Sequence, residues 1–160
     1  MSKKTKIDPT IKLLIKRNLI EVVDIDKASS YINDPDFGLI ENESSWDSSS
    51  FTSFVRKKNT FSYVIYEKTK IVGFLLIESD PDSTKIEKLT VHPKYRRMTF
   101  GSLLLNHLIQ KAFSSKIVVY CKENDSDSIA FYKNKKFKSN LVKSHFGKDI
   151  DAVRFSLEIK

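Results

Sequence analysis

The stretch KIEKLTVHPKYRRMTFGSLLLNHLIQKAFSSKIVVYC, residues 85–121, decides the fold. Its two ends, KIEKLTV (85–91) and KIVVYC (116–121), are short β-rich runs. Between them Leu104, Leu105, Leu108, Ile109 and Ala112 recur at helical spacing, the pattern of a helix whose one face covers a sheet. Strand, helix and strand in this order form a crossover unit, so the two strands run parallel. The turn that opens the helix, HPKYRRMTFG (92–101), therefore lies at the carboxyl end of a strand, where such units bind ligands. A helix N-terminus offers unpaired N–H groups and a partial positive charge, and Lys94, Arg96 and Arg97 add full charges beside it. The combination suits a pyrophosphate. Taken alone, the loop reads equally well as a solvated basic turn.

Outward from this unit, short elements alternate in type. IKLLIKR (11–17) reads as a strand and NLIEVVDIDKAS (18–29) as a helix, followed by a polar, turn-rich connection, YINDPDFGLIENESSW (31–46). DSSSFTSFVRKK (47–58) is a helix with Asp47 or Ser48 at its N-cap. TFSYVIYEK (60–68) and KIVGFLLIESD (70–80) form a hairpin, and PDST turns the chain into the strand at 85–91. Beyond Cys121, NDSDSIAFYKNKK (124–136) starts with capping residues and continues as a short helix, before two closing strands, FKSNLVK and DAVRFSLEI. The order β-α-α-β-β-β-α-β-α-β-β predicts one α/β domain over residues 1–160, a central mixed sheet of about seven strands flanked by about four helices.

A chain of 160 residues is long enough to bury about 70% of its unfolded surface. With no run of 18 apolar residues, and no apolar stretch behind the first cations, a membrane span and a signal peptide are not expected. The single Cys121 lies in an apolar run and reads as a small buried thiol, which fits a reducing, cytoplasmic setting. The net charge of +8 is sorted by region. Lys3, Lys4, Lys6, Lys12, Lys16 and Arg17 open the chain, and Lys133, Lys135, Lys136, Lys138 and Lys143 cluster near its end. Between residues 21 and 47, Glu21, Asp24, Asp26, Asp34, Asp36, Glu41, Glu43 and Asp47 face only Lys27, a net charge of −7. A protein that coats phosphate backbones has little use for such a block. The sorting points to two ligands of opposite sign. His92, His107 and His145 lack ligand spacing, so no metal site is expected.

IEKLTVHPKYRRMTFGSLLL resembles the acetyl-CoA motif of the GNAT superfamily of acyl-CoA N-acyltransferases, in which a strand and V-x-P-x-[YF]-R lead into a glycine-bearing loop and a helix. NDSDSIAFYKNKKF resembles the superfamily's second signature, N-x-x-A-x-x-F-Y-x-x-x-G-F, with Tyr132 at the tyrosine. KIVGFLLIES is similar to its central hairpin strand, and the element order is the superfamily's own. The nearest subgroup is the N-terminal acetyltransferases of ribosomal-protein alanine, whose tryptophan and amphipathic helix are echoed by SSWDSSSFTSFVRKK. Three positions depart from the pattern: Thr99 stands at the loop's first glycine, Asp125 at the signature's asparagine, and Lys136 at its glycine. Thr99 is the telling one, because backbone there approaches phosphate closely or takes φ > 0, which a β-branched residue resists.

The resemblance implies acetyl-CoA as co-substrate and direct transfer of its acetyl group to a primary amine. The amine must be neutral to attack, and the leaving thiolate must be protonated. Backbone groups of Leu89, Thr90 and Val91 would pair with the pantetheine arm, and Arg96, Arg97, Met98, Thr99, Phe100, Gly101 and Ser102 would cradle the pyrophosphate. Tyr132 would be the general acid, against the plain alternative of a half-buried aromatic on an amphipathic helix. The subgroup's basic Glu, twelve residues before this tyrosine, is replaced by Tyr120. Glu87 is the substitute candidate, a carboxylate expected among apolar neighbours and relaying the proton through water, against the alternative of an exposed Glu between Lys85 and Lys88. The acidic block would draw a cationic acceptor: a protein N-terminus, a lysine or a polyamine. Two other readings compete. One is a catalytically degenerate member that binds acyl-CoA or a partner protein; the other is a basic RNA-binding module, opposed by the acidic block and the lack of stacking aromatics.

Overall fold

The computed structural model describes residues 9–34, 38–41, 45–111, 113–147 and 150–159, with backbone only for 31–34 and 38–41. Lys3, Lys4, Lys6, Asp36, Glu43 and Ala112 lie outside the described residues. In chain order the elements are β1 (Pro9–Leu13), a 3-10 turn (Lys16–Asn18), α1 (Leu19–Ser29), β2 (Tyr31–Asp34), β3 (Gly38–Glu41), α2 (Ser48–Arg56), β4 (Thr60–Glu67) and β5 (Lys70–Ser79). They continue with β6 (Thr84–Val91), a second 3-10 turn (Pro93–Tyr95), α3 (Phe100–Lys111), β7 (Lys116–Lys122), α4 (Ser126–Asn134), β8 (Lys138–Val142) and β9 (Ala152–Glu158).

Seven strands hydrogen-bond in the order β1-β4-β5-β6-β7-β9-β8, with β6 and β7 parallel in the register Thr84↔Ile117 to Ile86↔Val119. The crossover read from residues 85–121 is therefore present. The sequence did not announce β2 and β3, an antiparallel hairpin in register from Tyr31↔Glu41 to Asp34↔Gly38. Their four-residue strands carry too few alternating apolar residues, amid Asn, Asp and Pro, to stand out from a loop. The first strand also ends earlier than its apolar letters suggest, at Leu13, since residues 16–18 wind into the turn before α1.

The chain forms two compact units through which β5 and β6 both run: one comprises the residues up to Leu76 with Lys88–Gln110, the other Ile77–Glu87 with the residues from Lys111 onward. In the first, Val22 and Ile25 of α1, Phe51 and Phe54 of α2, and Val64, Ile71, Phe74 and Leu76 of the sheet form one core cluster. Helix α2 begins where its capping residue predicts: the Asp47 carboxylate accepts the Ser50 N–H at 2.8 Å, and this bond lowers the Asp47 pKa. Phe51 meets Phe74 edge to face at 5.5 Å, and each is fully buried, which contributes about 1.5–3 kcal/mol per ring. In the second unit, Ile117, Val119, Cys121, Tyr132, Phe137 and Phe155 are buried. Cys121 is a buried cysteine outside any disulfide, as its apolar setting predicts.

Candidate active site

The basic loop takes shape from the end of β6. The His92 N–H reaches the Val72 carbonyl on β5 at 2.8 Å, and the His92 Nδ1 accepts the Lys94 N–H at 3.1 Å, which caps the turn Pro93–Tyr95. Burial, then the charges of Lys70, Lys94 and Arg96, hold the His92 imidazole below its ordinary pKa, so the neutral ring keeps that nitrogen as an acceptor. Arg96 bends back, its Nε donating to the Val91 carbonyl at 3.3 Å, an oxygen that also accepts Ser29 Oγ at 3.4 Å. Then the backbone turns left-handed twice, at Arg97 (φ 60°) and Thr99 (φ 73°). The strain suspected at Thr99 is real: a β-branched residue occupies a region that costs non-glycine residues about 1–3 kcal/mol. Arg97 shares it, and nothing in its residue type foretold that.

The Thr99 carbonyl accepts the Leu103 N–H at 2.9 Å, so α3 starts at once. The turn read over residues 92–101 ends two residues earlier than expected, at Thr99. Phe100 is the first residue of α3 and its ring is buried. Gly101 is the second residue of the helix, not a turn residue, and with Ser102 it is half-buried. Lys94, Arg96, Arg97, Met98 and Thr99 are exposed, and Leu89, Thr90 and Val91 are half-buried on β6. Sequence reading missed Gly73, one strand over. A Cβ there would meet the Thr90 carbonyl oxygen at 2.8 Å and a Val91 methyl at 3.3 Å, so glycine lets β5 and β6 close together at Thr90.

The acidic block divides on inspection. Asp26 is buried on α1, where its carboxylate accepts both hydrogen bonds of Lys88 Nζ, at 2.8 and 2.9 Å, and the Trp46 N–H at 2.7 Å. The Lys88 ammonium also lies 4.9 Å from the Trp46 ring centroid. Asp47 is the cap of α2. Asp26 is thus taken up by protein partners, whereas Asp47, although it caps α2, stays exposed. Glu21 and Asp24 remain exposed.

Glu87 sits differently from expectation. Its neighbour is not apolar: Lys85 Nζ lies 3.1 Å from its Oε2, with both side chains partly exposed. Lys85 Nζ also stands 5.9 Å from the ring centroid of Tyr120, and Tyr120 stacks on His145 at 4.1 Å and 8°. Tyr132 is fully buried, not half-buried, against Phe131, Phe137 and Phe155 at 5.1–5.6 Å. Burial pushes its phenol well above the ordinary value, with Cys121 and Asp125 adding smaller contributions, so the hydroxyl keeps its proton at any working pH. Asp125 caps α4 by accepting the Ser128 N–H at 3.2 Å, so the change from the signature's asparagine preserves a capping side chain. Lys136 takes φ 65°, the left-handed geometry that the signature's glycine serves.

The model of the acetyltransferase (GNAT) family matches residues 24–137, from α1 to just past α4. This chain belongs to the GNAT family. The match spans the basic loop and Tyr132. No curated protein matches this GNAT chain by sequence. Among solved structures it is similar to the ribosomal-protein-S18-alanine N-acetyltransferase of Escherichia coli, at 18% identity and TM-score 0.76, covering 96% of this chain and 95% of that one. Ard1 of Thermoplasma volcanium gives 14% identity and TM-score 0.76 over 95% and 98% of the two chains. NAA60 of Arabidopsis thaliana, solved in complex with acetyl-CoA, gives 13% identity and TM-score 0.75 over 95% and 100%. At these identities the likeness establishes the GNAT fold. Among the described residues no group of three or more His, Cys, Asp or Glu could hold a metal ion, and no helix is long and apolar enough to cross a membrane.

Proposed function

We propose that this GNAT chain transfers an acetyl group from acetyl-CoA to a primary amine carried by a cationic acceptor: a protein N-terminus, a lysine or a polyamine. The observation that carries the reading is the loop at the end of β6, where two left-handed residues and three exposed cations lead directly into α3. Backbone N–H groups of residues 97–102 would meet the pyrophosphate there, aided by Arg97 and Lys94. Leu89, Thr90 and Val91 continue β6 past its last residue paired with β7, Ile86, and would pair with the pantetheine arm as an added strand does. Bound acetyl-CoA supplies the thioester. Tyr132, a protonated phenol, would return a proton to the departing sulfur, and Glu87 would meet the acceptor ammonium. Neighbours solved with acetyl-CoA and with a bisubstrate analogue, and the activity named for the Escherichia coli protein, favour this reading.

Thr99 favours the second reading, a member that binds acyl-CoA weakly or does not turn it over. Calorimetry of acetyl-CoA binding to the wild type and to Thr99→Gly separates the two, followed by thiol release with and without Tyr132→Phe. Micromolar binding, a several-fold gain for the glycine variant and thiol release lost in Tyr132→Phe are expected. Absence of binding by both proteins at millimolar cofactor would retire the transferase reading.

A further inference from the structure

We propose that His145 takes the proton from the acceptor amine, held for that task on the face of Tyr120. This deepens the acetyltransferase reading and rests on it. β6 and β7 pair in parallel only as far as Ile86↔Val119. Glu87 and Tyr120 are the next residue on each strand, so both stand where the parallel pairing ends at the carboxyl side. Ligands bind beyond the carboxyl ends of parallel strands, because the diverging chains leave a crevice there. Lys85 joins the two positions, with its ammonium 3.1 Å from Glu87 and 5.9 Å from the Tyr120 ring. On Tyr120 lies the imidazole of His145, nearly parallel at 4.1 Å, with Phe146 edge-on at 4.9 Å.

The stack fixes the plane of the imidazole, and the His145 side chain stays exposed. His145 comes from the turn between β8 and β9, which is pinned at its base: Asp151 accepts the Ser144 N–H at 2.8 Å and pairs with Lys143 at 3.1 Å. These bonds hold the Asp151 carboxyl below its usual range, so the pin is in place near neutrality. Lys85 and Glu87 neutralise one another on the Tyr120 side, Arg154 of β9 is the strand partner of Tyr120, and Lys143 and Asp151 pair within the turn. Lys148 and Asp149 lie outside the described residues. A protonated imidazole over an aromatic face is stabilised by the ring quadrupole, so Tyr120 supports the charge that proton transfer creates.

In this scheme the Glu87 carboxylate receives the acceptor ammonium and a His145 ring nitrogen removes one proton from it. The neutral amine attacks the thioester carbonyl; the C–N bond forms, the C–S bond breaks, and the sulfur takes the Tyr132 proton. The product amide sheds a second proton, which restores Tyr132 through solvent, and the imidazolium releases its own to water. An ammonium and a thioester thus yield an amide, a thiol and one proton. Histidine suits the step because its charge changes between about pH 5 and 8, which neither lysine nor tyrosine does unaided.

The test is the pH dependence of kcat for full-length wild type, His145→Phe and His145→Ala. The acceptors are spermidine, a lysine peptide with a blocked N-terminus, and a peptide with a free N-terminal alanine. His145→Phe keeps an aromatic on Tyr120 but cannot take a proton. It is expected to lose about 100-fold in kcat at neutral pH and to change the shape of the pH profile, with acetyl-CoA affinity unchanged. Added imidazole should restore part of the activity to His145→Ala. Retention of wild-type kcat and pH profile by His145→Phe would overturn the proposal while leaving acetyl transfer intact. Wild type that binds no acetyl-CoA, or acetylates none of the three acceptors, would overturn the transferase reading and this one with it.

Discussion

Lys85 and Lys88 lie three residues apart on β6, and each ends on a carboxylate, yet the two pairs are different objects. Lys85–Glu87 is a neighbour-but-one pair whose side chains keep 44% and 28% of their exposure. Lys88–Asp26 joins residues 62 apart in sequence, keeps 12% and 4%, and is roofed by an indole. Water screens the first and contributes most of its solvation; the second has only its partners. Exposed pairs contribute about 0–1 kcal/mol, whereas removing one partner of a buried pair costs about 3–5 kcal/mol because the other charge is stranded. The lesson for the site is that equal charges on one strand serve unequal ends. Lys88 ties α1 and Trp46 to β6, and Lys85 leaves Glu87 accessible to a ligand.

The largest effect should therefore come from Asp26→Ala. Urea melts should show a loss of about 3–5 kcal/mol, with much of it recovered when Lys88→Met is added so that no buried charge remains. A loss below 1 kcal/mol would erase the distinction between the two pairs. Next in size is Gly73→Ala, whose Cβ would press on the Thr90 carbonyl at 2.8 Å. Displacing β6 should cost about 1–3 kcal/mol and weaken acetyl-CoA binding, which sharpens the comparison by asking whether packing, as well as the Lys88 pair, fixes the strand. The smallest is Glu87→Gln. Stability should move by less than about 1 kcal/mol, while KM for a cationic acceptor rises; a large destabilisation would mean that the exposed pair is structural after all.

Much of this was legible in the letters, and the parts that were not share a cause. The crossover unit, the Asp47 cap, the buried Cys121 and the strain at Thr99 follow from periodicity, residue type and local geometry, which neighbours in sequence determine. The β2–β3 hairpin was missed because strands of four residues carry little period. The end of the basic turn was placed two residues late, at Gly101, because a small shift of a helix start turns a loop position into a core or helical one.

The sequence by itself determined the order of elements, the parallel crossover and the family to which the chain belongs, because hydrophobic period and loop chemistry are properties of short segments. Only the tertiary structure decided which charges are spoken for and which are free. Asp26 and Glu87 look alike as letters in a charged stretch, but one meets Lys88 beneath Trp46 and the other meets Lys85 in reach of water. Likewise Tyr120 and His145, 25 positions apart in sequence, become a stack only because β9 returns beside β7 and brings the turn before it. Burial and pairing depend on what arrives from far along the chain, and no local pattern encodes that.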